Sequence, residues 1–157
     1  MKVQGSVQFD IYGLIQEPTY WADCLNLIAK LPSTIQVNYC GECDPDKVIN
    51  TLKNYGLFFL PTLNENYGYV IAESLAAGTP VLLSNQTPWD DLPDKKAGWE
   101  FDLSQPSKFS AKIDELILLD DAAYSIYKQS ALDYFLENIQ NDNLAEKYKL
   151  FFNGKIV

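Results

Sequence analysis

Histidine is absent from all 157 residues. That excludes catalysis by an imidazole-activated serine or cysteine, and every zinc site built on imidazole ligands. Positive charge is scarce as well: 12 basic residues stand against 21 acidic ones, for a net charge of -9. Nucleic acid and anionic lipid bind through basic surfaces, so neither is an expected partner. An anionic ligand would need local compensation, from backbone N–H groups or a helix N-terminus. No apolar run nears the ~20 residues that a membrane-spanning helix needs, and no signal peptide is recognisable. The cysteines are only Cys24, Cys40 and Cys43. This odd number reads as a reduced, cytoplasmic protein.

What is present suits a packed domain. Hydrophobic residues make up 47% of the chain, too many for a disordered protein, and the length suggests a single domain over residues 1–157. Val7-Gln8-Phe9-Asp10-Ile11-Tyr12 alternates and stops at Gly13, as a strand and its turn do. Residues 18–31 place Tyr20, Trp21, Leu25, Ile28 and Leu31 at helical spacing, and Pro32 ends that helix. Residues 35–39 form a second strand closed by Gly41. Asp44 is a good N-cap and Pro45 suits the first helical position. Leu57-Phe58-Phe59-Leu60 is a continuous apolar run, the pattern of a strand buried on both faces. A helix ending at Gly78, a buried strand over 80–83 and a weaker one over 99–101 follow. Helices fill most of 106–152, with breaks near Asp120 and Asn141. Strand alternates with helix through short connections. The expected fold is therefore α/β: a doubly wound, Rossmann-like parallel sheet of about five strands with helices on both faces.

Ligands of such sheets lie at the carboxyl ends of the strands. The loop 61–68 leaves the most apolar strand and opens a helix, so it is the favoured position. Gly68 permits close backbone approach, the free N–H groups of the following turn suit phosphate, and Glu65 and Glu73 can accept hydrogen bonds from hydroxyls. A plainer reading gives Asn64 or Asn66 the helix cap, Glu65 a place near the helix dipole and Glu73 a solvated surface. Eight helical steps put the two glutamates ~12 Å apart along the axis. That exceeds the roughly 5–9.5 Å of a glycosidase pair. If both act, they grip different parts of one long ligand.

The run FLPTLNENYGYVIAESLAAGTPVLLSNQTPWDDL resembles the donor-binding motif of family 4 glycosyltransferases, which have the two-domain GT-B fold. Pro61, Thr62, Glu65, Gly68, Glu73, Ala76, Gly78, Pro80 and Val81 stand in the register of that motif. The similarity extends over nearly the whole chain, and Phe9 to Gly13, the Leu31-Pro32 ending and Gly41 also match bacterial members that build surface polysaccharides. It implies transfer of a sugar from a nucleotide diphosphate sugar to a hydroxyl acceptor, with retention and without a metal or other cofactor. By the same resemblance Glu65 holds hydroxyls of the donor sugar. Backbone groups around Asn66, Tyr67, Gly68 and Tyr69 meet the sugar and diphosphate, and Glu73 holds the ribose. Gly41 and Glu42 lie near the base, and Thr87 and Pro88 flank the pocket.

The chain also departs from the family pattern. Residues 1–6 are too short for the family's first strand and its loop, which carries basic residues for the diphosphate. The acceptor domain is missing, and Tyr69 stands where many relatives carry histidine. In the strand order 3-2-1-4-5-6 the missing strand is central. Three consequences are open: strand 7–12 pairs directly with 57–60, another chain fills the gap, or the domain is poorly stable. The expected partners are a nucleotide sugar and either a separate acceptor-domain polypeptide or a second copy of the chain. Self-association could run through a terminal helix bearing Tyr148, Leu150, Phe151 and Phe152. Attachment at the inner face of the membrane would come through such a partner. Rival readings are a non-catalytic remnant or interaction module, and a redox role for Cys40-Gly41-Glu42-Cys43. Asp44-Pro45-Asp46 resembles a metal motif of another glycosyltransferase fold, but its position suits helix capping.

Overall fold

In the computed structural model, residues 5–139 are described. Strand β1 (Val7–Tyr12) leads through helix α1 (Pro18–Ile28) to β2 (Ile35–Gly41). A 3-10 turn (Pro45–Lys47) and helix α2 (Val48–Leu52) follow, then β3 (Phe58–Leu60), α3 (Tyr69–Ala76), β4 (Val81–Ser84) and β5 (Gly98–Phe101). Helices α4 (Pro106–Ile117) and α5 (Asp121–Tyr134) close the order, with a π-helical turn over Phe135–Ile139. The terminal helix with Tyr148, Leu150, Phe151 and Phe152, and the break near Asn141, fall outside the described residues.

Local signals place the boundaries. The Asp44 carboxylate accepts from the Asp46 N–H at 3.2 Å, capping the 3-10 turn with Pro45 in its first position. The Asp120 carboxylate accepts from the Ala123 N–H at 2.8 Å and starts α5. Gly78, at φ +71°, takes the left-handed conformation that ends α3.

All five strands run parallel to their neighbours, as expected, but they form two sheets and not one. β1 pairs only with β2, with Val7 opposite Ile35. β3, β4 and β5 form the second sheet, with Phe58 opposite Val81 and Val81 opposite Gly98. No ladder joins β1 to β3. Between them stand Tyr55 and the rings of Phe9 and Phe59, whose centroids are 6.0 Å apart. The sequence pattern puts β3 in the middle of a sheet. Here it is an edge, and all three of its residues are only partly buried. β4 is the central strand of the larger sheet, and every one of its residues is buried.

The core is correspondingly one-sided. It gathers Ile71 and Leu75 of α3, Val81 and Leu83 of β4, Trp89, Leu92 and Tyr134. From residue 5 to residue 67 no residue is buried. Trp21 of α1 packs on Tyr39 of β2 with ring centroids 5.0 Å apart, but no side chain of β1, β2 or α1 becomes fully buried.

Candidate functional site

The loop from Pro61 to Tyr67 is held from below and from the side. The Ser84 hydroxyl, at the end of β4, donates to the Thr62 carbonyl. The Glu65 N–H donates to the Gln86 carbonyl at 3.1 Å. Buried Trp89 donates its indole N–H to the Tyr67 carbonyl, and its ring packs on Tyr67 at 5.4 Å. Trp89 in turn contacts Tyr134, whose hydroxyl donates to Asp91. The loop thus sits at the carboxyl ends of β3 and β4, tied to the next loop and to α5.

Gly68, and neither Asn64 nor Asn66, occupies the cap position of α3. It adopts φ +77° and is buried. A side chain there would bring its Cβ to 2.5 Å from Ile71 and 3.1 Å from the Glu65 side chain. No side chain caps this helix end, and the N-terminal end of a helix dipole favours an anion. Glu65 lies in the loop before the helix, so the helical estimate of its distance from Glu73 does not apply. Asn66 is exposed, and Tyr69 is exposed beside Tyr67, ring on ring at 5.1 Å.

Glu73 is not the solvated helix residue of the plainer reading. It is half-buried, and loss of water holds its carboxyl above the usual carboxylate range. No described residue gives it a hydrogen bond or an opposite charge. Its side chain lines a cavity of about 530 Å³ together with Asp10, Tyr12, Thr51, Leu60 and Val70. Glu65, Gly41 and Glu42 do not line that cavity. Gly41 ends β2 at φ +72°, and Glu42 is exposed just beyond it. Thr87 is partly buried, and its hydroxyl oxygen has no hydrogen-bond partner among the described residues. The structure therefore gathers Glu65, Tyr67, Gly68 and Tyr69 at the start of α3. It sets Glu73 one face further on and keeps Gly41 and Glu42 on the neighbouring sheet.

A polar network unforeseen in the sequence lies on the Glu73 cavity. The Tyr55 hydroxyl donates to Asp10 at 2.7 Å, and the Asn38 amide donates to the same carboxylate at 2.7 Å. Since Tyr55 gives its single proton to Asp10, Tyr12 must donate in the 2.8 Å contact between the two hydroxyls. Tyr55, then Asn38 and Gln8, hold the Asp10 carboxyl below its ordinary value. The missed signal was an acidic residue inside an apolar strand pattern, which demands partners. Trp89 was likewise foreseeable, because an indole N–H in a loop behind a buried strand needs an acceptor.

Cys40 and Cys43 are both free; Cys40 belongs to β2, and a 3-10 turn, not an α-helix, follows Cys43. Among the described residues no helix is long and apolar enough to cross a membrane.

Residues 2–133 match the family described as glycosyl transferases group 1. The chain belongs to this family. No curated protein matches it. Solved structures share the fold, among them the two that follow. A sucrose-phosphate synthase from Thermosynechococcus elongatus superposes with a TM-score of 0.68 at 15% identity, over 96% of this chain and 38% of its own. The TarM structure superposes with a TM-score of 0.66 at 20% identity, over 94% of this chain and 29% of its own. This glycosyl transferase group 1 chain thus spans about a third of the length of those proteins.

Proposed function

We propose that the chain is the donor-binding half of a retaining glycosyltransferase. Its ligand is a nucleotide diphosphate sugar, from which the sugar passes to a hydroxyl acceptor. The C1–oxygen bond to the diphosphate breaks, a bond to the acceptor oxygen forms on the same face, and the acceptor proton leaves with the departing phosphate. Glu65 holds sugar hydroxyls, with backbone groups at Asn66, Tyr67, Gly68 and Tyr69 around the sugar and diphosphate. Thr87 borders the same pocket, and Gly41 and Glu42 lie toward the base. Glu73 accepts from the ribose hydroxyls. The uncapped start of α3 faces the diphosphate, a task that calls for no metal.

The observation that carries this reading is Glu73. A half-buried carboxylate without a protein partner is costly unless a ligand satisfies it, and ribose hydroxyls are donors of the right kind. All 12 basic residues of the chain are lysines, and none of the described ones lines the Glu73 cavity. Cationic groups for the leaving diphosphate, like the acceptor domain, would lie outside the described residues. The isolated chain binds donor weakly and does not turn over.

Titration of UDP- and GDP-sugars by calorimetry tests this. Wild type should bind one of them in the millimolar range or tighter. Glu73→Gln should weaken binding by about tenfold or more, since hydrogen bonds to charged groups are worth ~1.5–3 kcal/mol. Binding unchanged by that substitution would overturn the assignment of Glu73. No binding of any nucleotide sugar would favour an interaction module that has kept the fold alone.

A further inference from the structure

We propose that the outer edge of β2 is a homodimer interface. Two copies of the chain pair their β2 strands antiparallel, about a two-fold axis at Val37. The inference rests on topology and charge and is independent of the donor reading.

The pairing with β1 fixes which way each peptide group of β2 points. The Val7 N–H donates to the Thr34 carbonyl at 2.8 Å, so Thr34 faces β1. Residues of a strand turn their N–H and C=O alternately to its two sides. Gln36 and Asn38 therefore face β1 as well, while Ile35, Val37 and Tyr39 face outward. The Ile35 N–H turns back to the Pro32 carbonyl at 2.9 Å. Among the described residues β2 pairs with β1 alone. The N–H groups of Val37 and Tyr39 and the carbonyls of all three outward residues thus have no partner strand there.

Little in β2 protects this edge. Natural edges are usually blunted by lysine, proline or a bulge. β2 runs Ile-Gln-Val-Asn-Tyr-Cys-Gly over seven residues, without a charge or a proline. Its one irregularity falls at the far end, where Tyr12 pairs with Gly41 and Cys40 is passed over. Residues 35–39 stay regular, and Gln36 and Tyr39 are exposed.

A second copy satisfies the edge. With Val37 opposite Val37, the two valines exchange N–H···O bonds in both directions, and each Tyr39 N–H meets the Ile35 carbonyl of the other copy. Side chains match in the same register. Ile35 faces Tyr39, and Gln36 faces Asn38, whose amide N–H stays on Asp10 while its carbonyl oxygen can accept. Charge decides the direction. Lys30 is the one charged residue between Asp23 and β2, whereas Glu42, Asp44 and Asp46 follow the strand closely. Antiparallel pairing sets the basic start of each strand beside the acidic end of the other. Parallel pairing would set like beside like. The net charge of -9 repels two copies at long range, but physiological salt screens that repulsion. The contact is small, so the dimer is weak and shows at high protein concentration.

Sedimentation velocity and hydrogen exchange on the full chain, from micromolar to millimolar at physiological ionic strength, test the proposal. The chain should pass from monomer to dimer as concentration rises. Exchange should slow with it by about threefold or more at the Val37 and Tyr39 amides, and less at Gln36 and Asn38, which already face β1. Val37→Pro removes the central outward N–H and leaves the β1 ladder its donors. It should abolish the dimer, with circular dichroism as the check on folding. Lys30→Glu sets acid beside acid and should weaken the dimer by about twofold to tenfold. Lys95→Glu makes the same charge change in the loop before β5 and should weaken it less.

A chain that stays monomeric at millimolar concentration overturns the proposal. So does slow exchange at Val37 and Tyr39 in the monomer, which means that the chain covers its own edge. A dimer that protects other amides, or that Lys30→Glu and Lys95→Glu weaken equally, assigns self-association to a different surface. Should Val37→Pro fail to fold, the exchange pattern and the two lysine variants still decide.

Discussion

A carboxyl that loses water on folding keeps its proton to higher pH than in the unfolded chain, and Glu73 is such a group. Below its ordinary value of 4.5, both states are protonated and the burial costs nothing extra. As pH rises from there through the elevated folded value, the unfolded chain ionises first and stability falls. Glu73→Gln should remove that fall. The difference in melting temperature between variant and wild type should therefore grow in the variant's favour across this window and level off above it. Donor affinity should follow the opposite course: it should weaken as pH drops and Glu73 takes up a proton. Asp10 has the reverse sign. Its stabilising hydrogen bonds act above the ordinary value of 3.8 and are lost as pH falls through its lowered folded value. Tyr55→Phe deletes the largest cause, so the Asp10 carboxyl should return toward 3.8, as read by carbon NMR. At the loop, Trp89→Phe keeps an aromatic ring but removes the N–H that donates to the Tyr67 carbonyl. Thermal or urea unfolding should show a loss of about 0.5–1.5 kcal/mol, the usual net worth of one hydrogen bond.

Among the elements, β4 bears the load that the apolar run before it was expected to share. Leu82 and Leu83 are fully buried, and either one changed to alanine should cost roughly 2–5 kcal/mol in urea unfolding. Phe58→Ala, at a partly buried edge, should cost less than those changes. That ordering would invert if β3 were the central strand. Gly98 permits the close pairing of β4 and β5. A Cβ there would stand 2.5 Å from the Val81 carbonyl oxygen, a backbone atom that cannot rotate away. Gly98→Ala should therefore disrupt the Val81–Gly98 register and lower stability by about 1–3 kcal/mol or more, the usual scale of overpacking. The turn residues were legible from the sequence because their signals are local: Asp44 and Asp120 accept from N–H groups two or three residues on. The cap of α3 was misread for a physical reason. Asn64 and Asn66 have the right chemistry, but the loop is drawn toward Gln86 and Trp89 by contacts more than 20 residues away.

The molecule as a whole is half closed. Its second half has a core, while its first half has apolar side chains around a slot and no buried residue from position 5 to position 67. Native-state hydrogen exchange should divide along the same line, with β4 protected most and β1 and β2 opening at lower free energy. Uniform protection across both sheets would show that the two halves unfold as one unit.

The sequence by itself determined the alternation of strands and helices, the parallel class of the sheets and the loop where ligands of such folds bind. These follow from periodicity, turn residues and chain direction, which are local. It also held the motif that places the chain in its family. Only the tertiary structure decided that the strands divide into two sheets, that Glu73 is half-buried without a partner among the described residues, and that Tyr55 reaches across to Asp10. Those outcomes depend on which surfaces find a neighbour. An apolar run reads the same whether the strand beside it is present or missing.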